Sequence, residues 1–328
     1  MLSRLRLLFD NFTLILIAVV VLASVFPAHG QGAVFFDWLT NAAIALLFFM
    51  HGAKLSREAI IAGATHWRLH AVVFSCTFLL FPLIGWATQP ILVPVLGLQL
   101  AAGILYLCVL PGTVQSAIAF TSIAKGNVPA AICSSSASSI FAIVLTPLLL
   151  KLLLETEVEI DMTDTVVKIS LQILLPFVVG HLMRPFIGHW VTRNQNWLKN
   201  IDQGSILLVV YTAFSASVVG GLWAEVHPLS LLALTIVCLI LLFVILFGTR
   251  WIARRLNFDL PDEITIVFCA SKKSMATGVP MAQVLFPASI IGPMLLPLLI
   301  FHQVQLMACA VMANQYALKH KQQAEHTA

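Results

Sequence analysis

Lys272 and Lys273 stand side by side in a membrane-length apolar stretch, residues 262–286, DEITIVFCASKKSMATGVPMAQVLF. An ionisable side chain at bilayer depth costs roughly 2.5–3.5 kcal/mol on insertion scales, so it normally faces a cavity or a partner and marks a functional site. Consecutive residues on an unbroken helix point about 100° apart, so one lysine can bind a ligand while the other pairs elsewhere. No Asp or Glu lies in an apolar core to neutralise them, because Asp262 and Glu263 fall at the end of the stretch. An anionic ligand, loss of the proton in the apolar surround, or hydration must compensate. The alternative is a misplaced span boundary or a water-filled vestibule. Pro280, which lacks an N–H, and the pliant Gly278 predict a helix break just beyond the lysines.

A second stretch, residues 110–139, reads LPGTVQSAIAFTSIAKGNVPAAICSSSASS. Pro111 and Gly112 predict another broken helix, followed by Thr113, Gln115 and Ser116, and then by a cluster in which Ser135 and Ser139 share one helical face. Freed carbonyls, amide oxygens and hydroxyls suit a small cation, whereas half-helix N-termini favour an anion. The same serines also serve close helix packing in a bilayer. Asn127 is placed to cap the next helix, with Pro129 in its first turn. Ser271, Ser274 and Thr277 flank the lysines. A Ser–Lys pair there is the enzymatic alternative, an intramembrane hydrolase. Neighbours on a helix rarely aim at each other, so no catalytic residue is assigned. His51 and His302, at or within apolar runs, read either as weak proton relays or as hydrogen-bonded core residues.

These groups need elements to hold them. Of 328 residues 60% are hydrophobic and 10% charged, and apolar runs of about 20 residues recur throughout, so the chain is an all-α polytopic membrane protein in contact with the lipid bilayer. The net charge of +4 is spread between the apolar runs and excludes a nucleic-acid surface. Six scattered cysteines show no metal-ligand spacing, so no metal site is expected. The expected spans are 11–27, 34–52, 70–88, 93–123, 128–154, 166–187, 205–223, 229–252, 263–285 and 289–317, ten transmembrane helices. With the N-terminus inside, fourteen of the eighteen basic residues fall on the cytoplasmic side, from Arg4 and Arg6 through Lys54, Arg57, Arg184 and Arg254 to Lys319 and Lys321. Both termini are therefore expected in the cytoplasm. The acidic connection ETEVEIDMTD, at 155–164, is expected outside. A single transmembrane domain spans 1–328, with a polar tail at 319–328. Corresponding Gly/Pro breaks in the fourth and ninth spans suggest two inverted repeats of five, about 9–155 and 164–318.

The stretches FFMHGAKLSREAI (48–60), LPGTVQSAIAFTSIAKGNV (110–128) and the lysine segment resemble the bile acid:sodium symporter family, in the branch related to the seventh human bile-acid carrier. The resemblance covers nearly the whole chain. It implies two inverted five-helix repeats, panel and core domains, and broken fourth and ninth helices crossing near the site. Sodium-coupled members bind two sodium ions through residues after the fourth-span break, hydroxyls early in the fifth span, and a Glu and a Gln in the ninth. Gln115 and Ser116 stand near the first of these, and Ser135 and Ser139 match the second. Phe268 or Cys269 stands where the Glu belongs, Lys272 where the Gln belongs, and Thr77 at a third-span position that is Gln elsewhere. A lysine ammonium at a cation site can take the cation's place. The resemblance implies a secondary active transporter moving a small organic anion by alternating access in a plasma membrane, a bacterial inner membrane if the source is bacterial. Coupling to sodium, coupling to protons or no coupling remain open, with no cofactor beyond a possible sodium ion. The alternative is a non-transporting regulatory membrane protein of the same fold.

Overall fold

The computed structural model describes residues 11–54, 66–154, 167–168, 170–221 and 226–327. Among these it is helical, with no strand. The helices are α1 Asn11–Val25, α2 Gln31–Lys54, α3 Trp67–Ser75, α4 Phe81–Leu96, α5 Leu98–Val109, α6 Val114–Ile123, α7 Val128–Leu153, α8 Leu175–Arg193, α9 Gln195–Val219, α10 Pro228–Arg255, α11 Leu260–Ala270, α12 Met275–Leu285 and α13 Ala288–Thr327. A π-helical turn, Cys76–Leu80, joins α3 to α4, and another, Ser170–Leu174, precedes α8.

Among the described residues seven helices are long and apolar enough to cross a membrane, and an eighth span is formed when α5 and α6 are taken together across a 61° bend. Aromatic and aliphatic side chains such as Phe186, Trp38 and Leu229 are exposed on the protein's own surface. That is the pattern of helices solvated by lipid. The chain is a multi-pass membrane protein.

One compact unit comprises the described residues of Met1–Ser56, Thr156–Leu231 and Ala276–Leu296. Here α2 packs against α8 at the distance of bare backbone, since a Cβ at Gly52 would lie 2.0 Å from the Phe177 carbonyl oxygen and one at Gly180 1.9 Å from that of Phe49. Helix α9 runs antiparallel to α2, joined by Thr40 to Thr212 at 2.9 Å and by Lys54 to Asp202.

The other unit comprises the described residues of Arg57–Glu155, Leu232–Met275 and Pro297–Ala328. Its third span runs through the π turn from Trp67 to Leu96 and stops at Gly97, whose φ of +83° suits glycine. That glycine moves the start of the next span to Leu98, five residues later than expected. Asn127 caps α7 through its side-chain oxygen, which accepts the Ala130 N–H at 3.1 Å, and Pro129 sits in the first turn as expected. Helix α13 continues through 319–327, within the polar tail, because KHKQQAEH contains no glycine or proline to stop it. The expectations for Arg4, Arg6, Arg57 and the connection 155–164 lie outside the described residues.

Candidate functional site

Both expected helix breaks occur, but the second is displaced. The first lies at 110–113, between α5 and α6, where Pro111 and Gly112 predicted it. The second lies at 271–274, so the lysines themselves occupy the non-helical junction, whereas Gly278 and Pro280 lie inside α12. Pro280 removes one donor, a loss that membrane helices tolerate. At 273–274 partners outside the helix take the place of ladder bonds. The Lys273 N–H donates to Gln305 Oε1 at 2.9 Å, Gln305 Nε2 donates back to the Lys273 carbonyl at 3.0 Å, and the Ser274 N–H donates to the Pro111 carbonyl at 2.8 Å. The two junctions are thus bonded backbone to backbone. A Cβ at Gly112 would lie 2.8 Å from the Cys269 carbonyl oxygen, so the crossing needs a residue without one.

Lys273 is fully buried, and its Nζ donates to three carbonyls: Leu110 at 2.6 Å, Cys108 at 2.8 Å and Thr77 at 3.1 Å. Each of these carbonyls has lost its helical partner for a reason visible in the sequence. Leu110 is in extended backbone past the end of α5. The carbonyl of Cys108 would pair with the Gly112 N–H, but that group donates to Ser138 Oγ at 3.2 Å. In the π turn Phe81 N–H reaches back to Cys76, so the partner of Thr77 would be residue 82, a proline. The ring of Phe81 lies 4.0 Å from the ammonium. Three acceptors and a ring face match the three donors of a protonated lysine. Hydrogen bonds to a charged group contribute roughly 1.5–3 kcal/mol each, enough together to offset the insertion cost of the charge.

Lys272, equally buried, points elsewhere. Its Nζ donates to the Ser116 carbonyl at 2.8 Å and lies over the rings of Phe120 at 4.2 Å and Phe268 at 5.2 Å. Among the described residues no carboxylate pairs with either lysine. Glu263 is held by Arg250, Arg254 and the Tyr316 hydroxyl, and Asp262 by Asn127 and His66, at the far end of α11.

The remaining expected residues divide. Thr113 Oγ1 and Ser116 Oγ bond each other at 2.6 Å just past the first break. Ser135 Oγ donates to Cys269 Sγ at 3.6 Å, and Ser139 Oγ only to the Ser135 carbonyl of its own helix. Ser271 Oγ donates to Val267 at 2.6 Å rather than to a lysine. Ser274 contributes its backbone at the crossing, and Gln115 is exposed. His302 Nδ1 lies 3.0 Å from Gln305 Nε2, so it steadies the clamp on Lys273. Thr277, buried on α12, and His51, on α2, belong to the other unit. Sequence reasoning missed Ser138, the aromatic faces and the carbonyl set. Pro82 directly after the apolar run at 76–81 was the available signal.

Residues 10–318 match the model of the SBF-like CPA transporter family. The chain is 61% identical to an uncharacterized protein of Pseudomonas aeruginosa over 96% of its own length and 95% of the relative's. It is 58% identical to the Escherichia coli protein YfeH, provisionally named a symporter, over 94% of this chain and 92% of that one. Rat sodium/bile acid cotransporter 7 is 29% identical over 82% of this chain and 80% of its own. The family and the two relatives named for a function are transporters, not enzymes, so the hydrolase alternative falls away, as the bonding of Ser271 already indicates. A multi-pass helical membrane protein, matched almost end to end, belongs to the SBF-like CPA transporter family.

Proposed function

We propose that this transporter carries a small organic anion by alternating access and that Lys273 serves as its resident cation. The observation that carries the reading is the Lys273 ammonium seated on three carbonyls freed by the π turn and the first helix break. An oxygen cage of this kind would otherwise suit a small monovalent cation; here it is filled by a tethered charge, so sodium is not required. Lys272, with one carbonyl partner and no carboxylate, leaves a second positive charge near the same junctions, and this favours an anionic substrate. Rat sodium/bile acid cotransporter 7 bears the name of an organic-anion carrier, which fits that substrate class.

Adding α1 and the α11–α12 pair to the eight spans long enough to cross gives ten. Read so, the first unit takes spans one, two, six and seven with the second half of span nine and the start of span ten, and the second takes three to five, eight and the rest of nine and ten. That order supports two five-helix repeats, with the first unit as panel and the second as core. The positive-inside distribution supports cytoplasmic termini in a plasma membrane.

Uptake of labelled organic anions into proteoliposomes, with and without sodium or proton gradients, tests the function. Wild-type uptake that survives removal of sodium and is lost in Lys273→Met supports it. Binding without uptake would point to the non-transporting regulatory protein instead, and uptake strictly dependent on sodium would contradict the resident-cation reading.

A further inference from the structure

The first unit contains a partly buried ionisable cluster, His51, Lys54 and the buried Asp202, that the lysine site does not use. Along α2 the residues Thr40, Ile44, Leu47, His51 and Lys54 recur at helical spacing and form one stripe. Opposite it, Thr212, Val209, Ser205, Asp202 and Leu198 form an antiparallel stripe on α9. Thr40 bonds Thr212 at one end and Lys54 bonds Asp202 at the other. One turn in from that ion pair, the register sets His51 opposite the buried Ser205. Asp202 is 5% exposed, and only its Oδ2 meets Lys54; its Oδ1 is buried with no hydrogen-bond partner. A buried carboxylate oxygen left without a donor is destabilising, more so than a neutral polar atom, so a structural pair alone does not explain it.

We propose that His51 and Asp202 form a proton-binding site, in which Asp202 Oδ1 accepts from a protonated His51 ring while Oδ2 stays with Lys54. The unprotonated cluster is neutral, and one added proton gives it a single positive charge. The other charged or histidine groups on the elements packed around it are Asp37 on α2, His181, Arg184, His189 and Arg193 on α8, where the His181 backbone approaches Gly52 and Val191 packs against Met50 and Ala53, and Lys199 one turn before Asp202 on α9. Helix α1 and residues 276–296 carry none. The inference rests on the carrier reading in one respect, that a proton bound here is one the transporter couples to.

Proton uptake by the purified full-length protein, titrated between about pH 8 and pH 5 with infrared detection of imidazole and carboxyl protonation, tests the site. Wild type should bind about one proton more than His51→Gln. The double variant Lys54→Gln with Asp202→Asn should lose that proton too, while removing both charges together and so avoiding a buried unpaired lysine. Equal uptake by wild type and both variants would overturn the proposal and leave the carrier reading intact. Absence of transport by wild type, with the titration difference present, would overturn the carrier reading and leave the proton site standing.

Discussion

Lys272 and Lys273 are adjacent in sequence yet differ in what they hold together. Lys273 satisfies three backbone carbonyls, so Lys273→Met, which keeps the length and removes every donor, leaves three buried acceptors at roughly 1–3 kcal/mol each. Its unfolding midpoint in detergent should fall far more than that of Lys272→Met, which forfeits one bond and two ring contacts. Equal losses would show that the cage is not a structural unit. The importance of this pair was legible from composition alone, since two lysines in an apolar run must be compensated. Which lysine does what was not legible, because the compensating groups are main-chain oxygens whose exposure depends on the π turn and on the break between α5 and α6.

At the scale of the element, the sequence located the first break through Pro111 and Gly112 and misplaced the second. Pro280 and Gly278 predict the break beyond the lysines, but Gln305 and Pro111 draw the backbone of 273–274 out of the ladder, and neither is local to it. Gly112→Ala should block the crossing, because its Cβ would meet the Cys269 carbonyl, which is backbone and cannot swing aside. The expected result is a folded protein with severely reduced uptake; full uptake would remove the crossing from the account. The π turn makes a complementary prediction. Pro82→Ala restores an N–H within reach of Thr77, so on that background Lys273→Met should be less damaging, with a coupling of about 0.5–3 kcal/mol in a double-mutant cycle of unfolding free energies. Strict additivity would mean that Thr77 does not depend on the lysine.

At the scale of the whole molecule, the membrane class followed from apolar run length, the break in the fourth span from Pro111 and Gly112, and the start of the fifth from Asn127, whereas the third span continues to Gly97, past its expected end. The ionisable groups of the first unit were harder to see. Asp202 sits near the start of a helix in a stretch, QNWLKNIDQGS, that reads as a polar connection, and only its pairing with Lys54 shows it to be buried. What distinguishes this carrier is the claim that its cation is covalently attached, and that claim can be measured without knowing the substrate. Thermal unfolding of the purified protein, compared in sodium chloride and choline chloride at equal ionic strength, reads it directly, because a ligand that binds only the folded state raises the midpoint. With Lys273 as the resident cation, wild type shows no sodium-dependent shift and Lys273→Ala a sodium-dependent rise, because its vacated carbonyls accept the ion. A saturable sodium-dependent stabilisation of wild type that is abolished in Lys273→Ala would contradict that role.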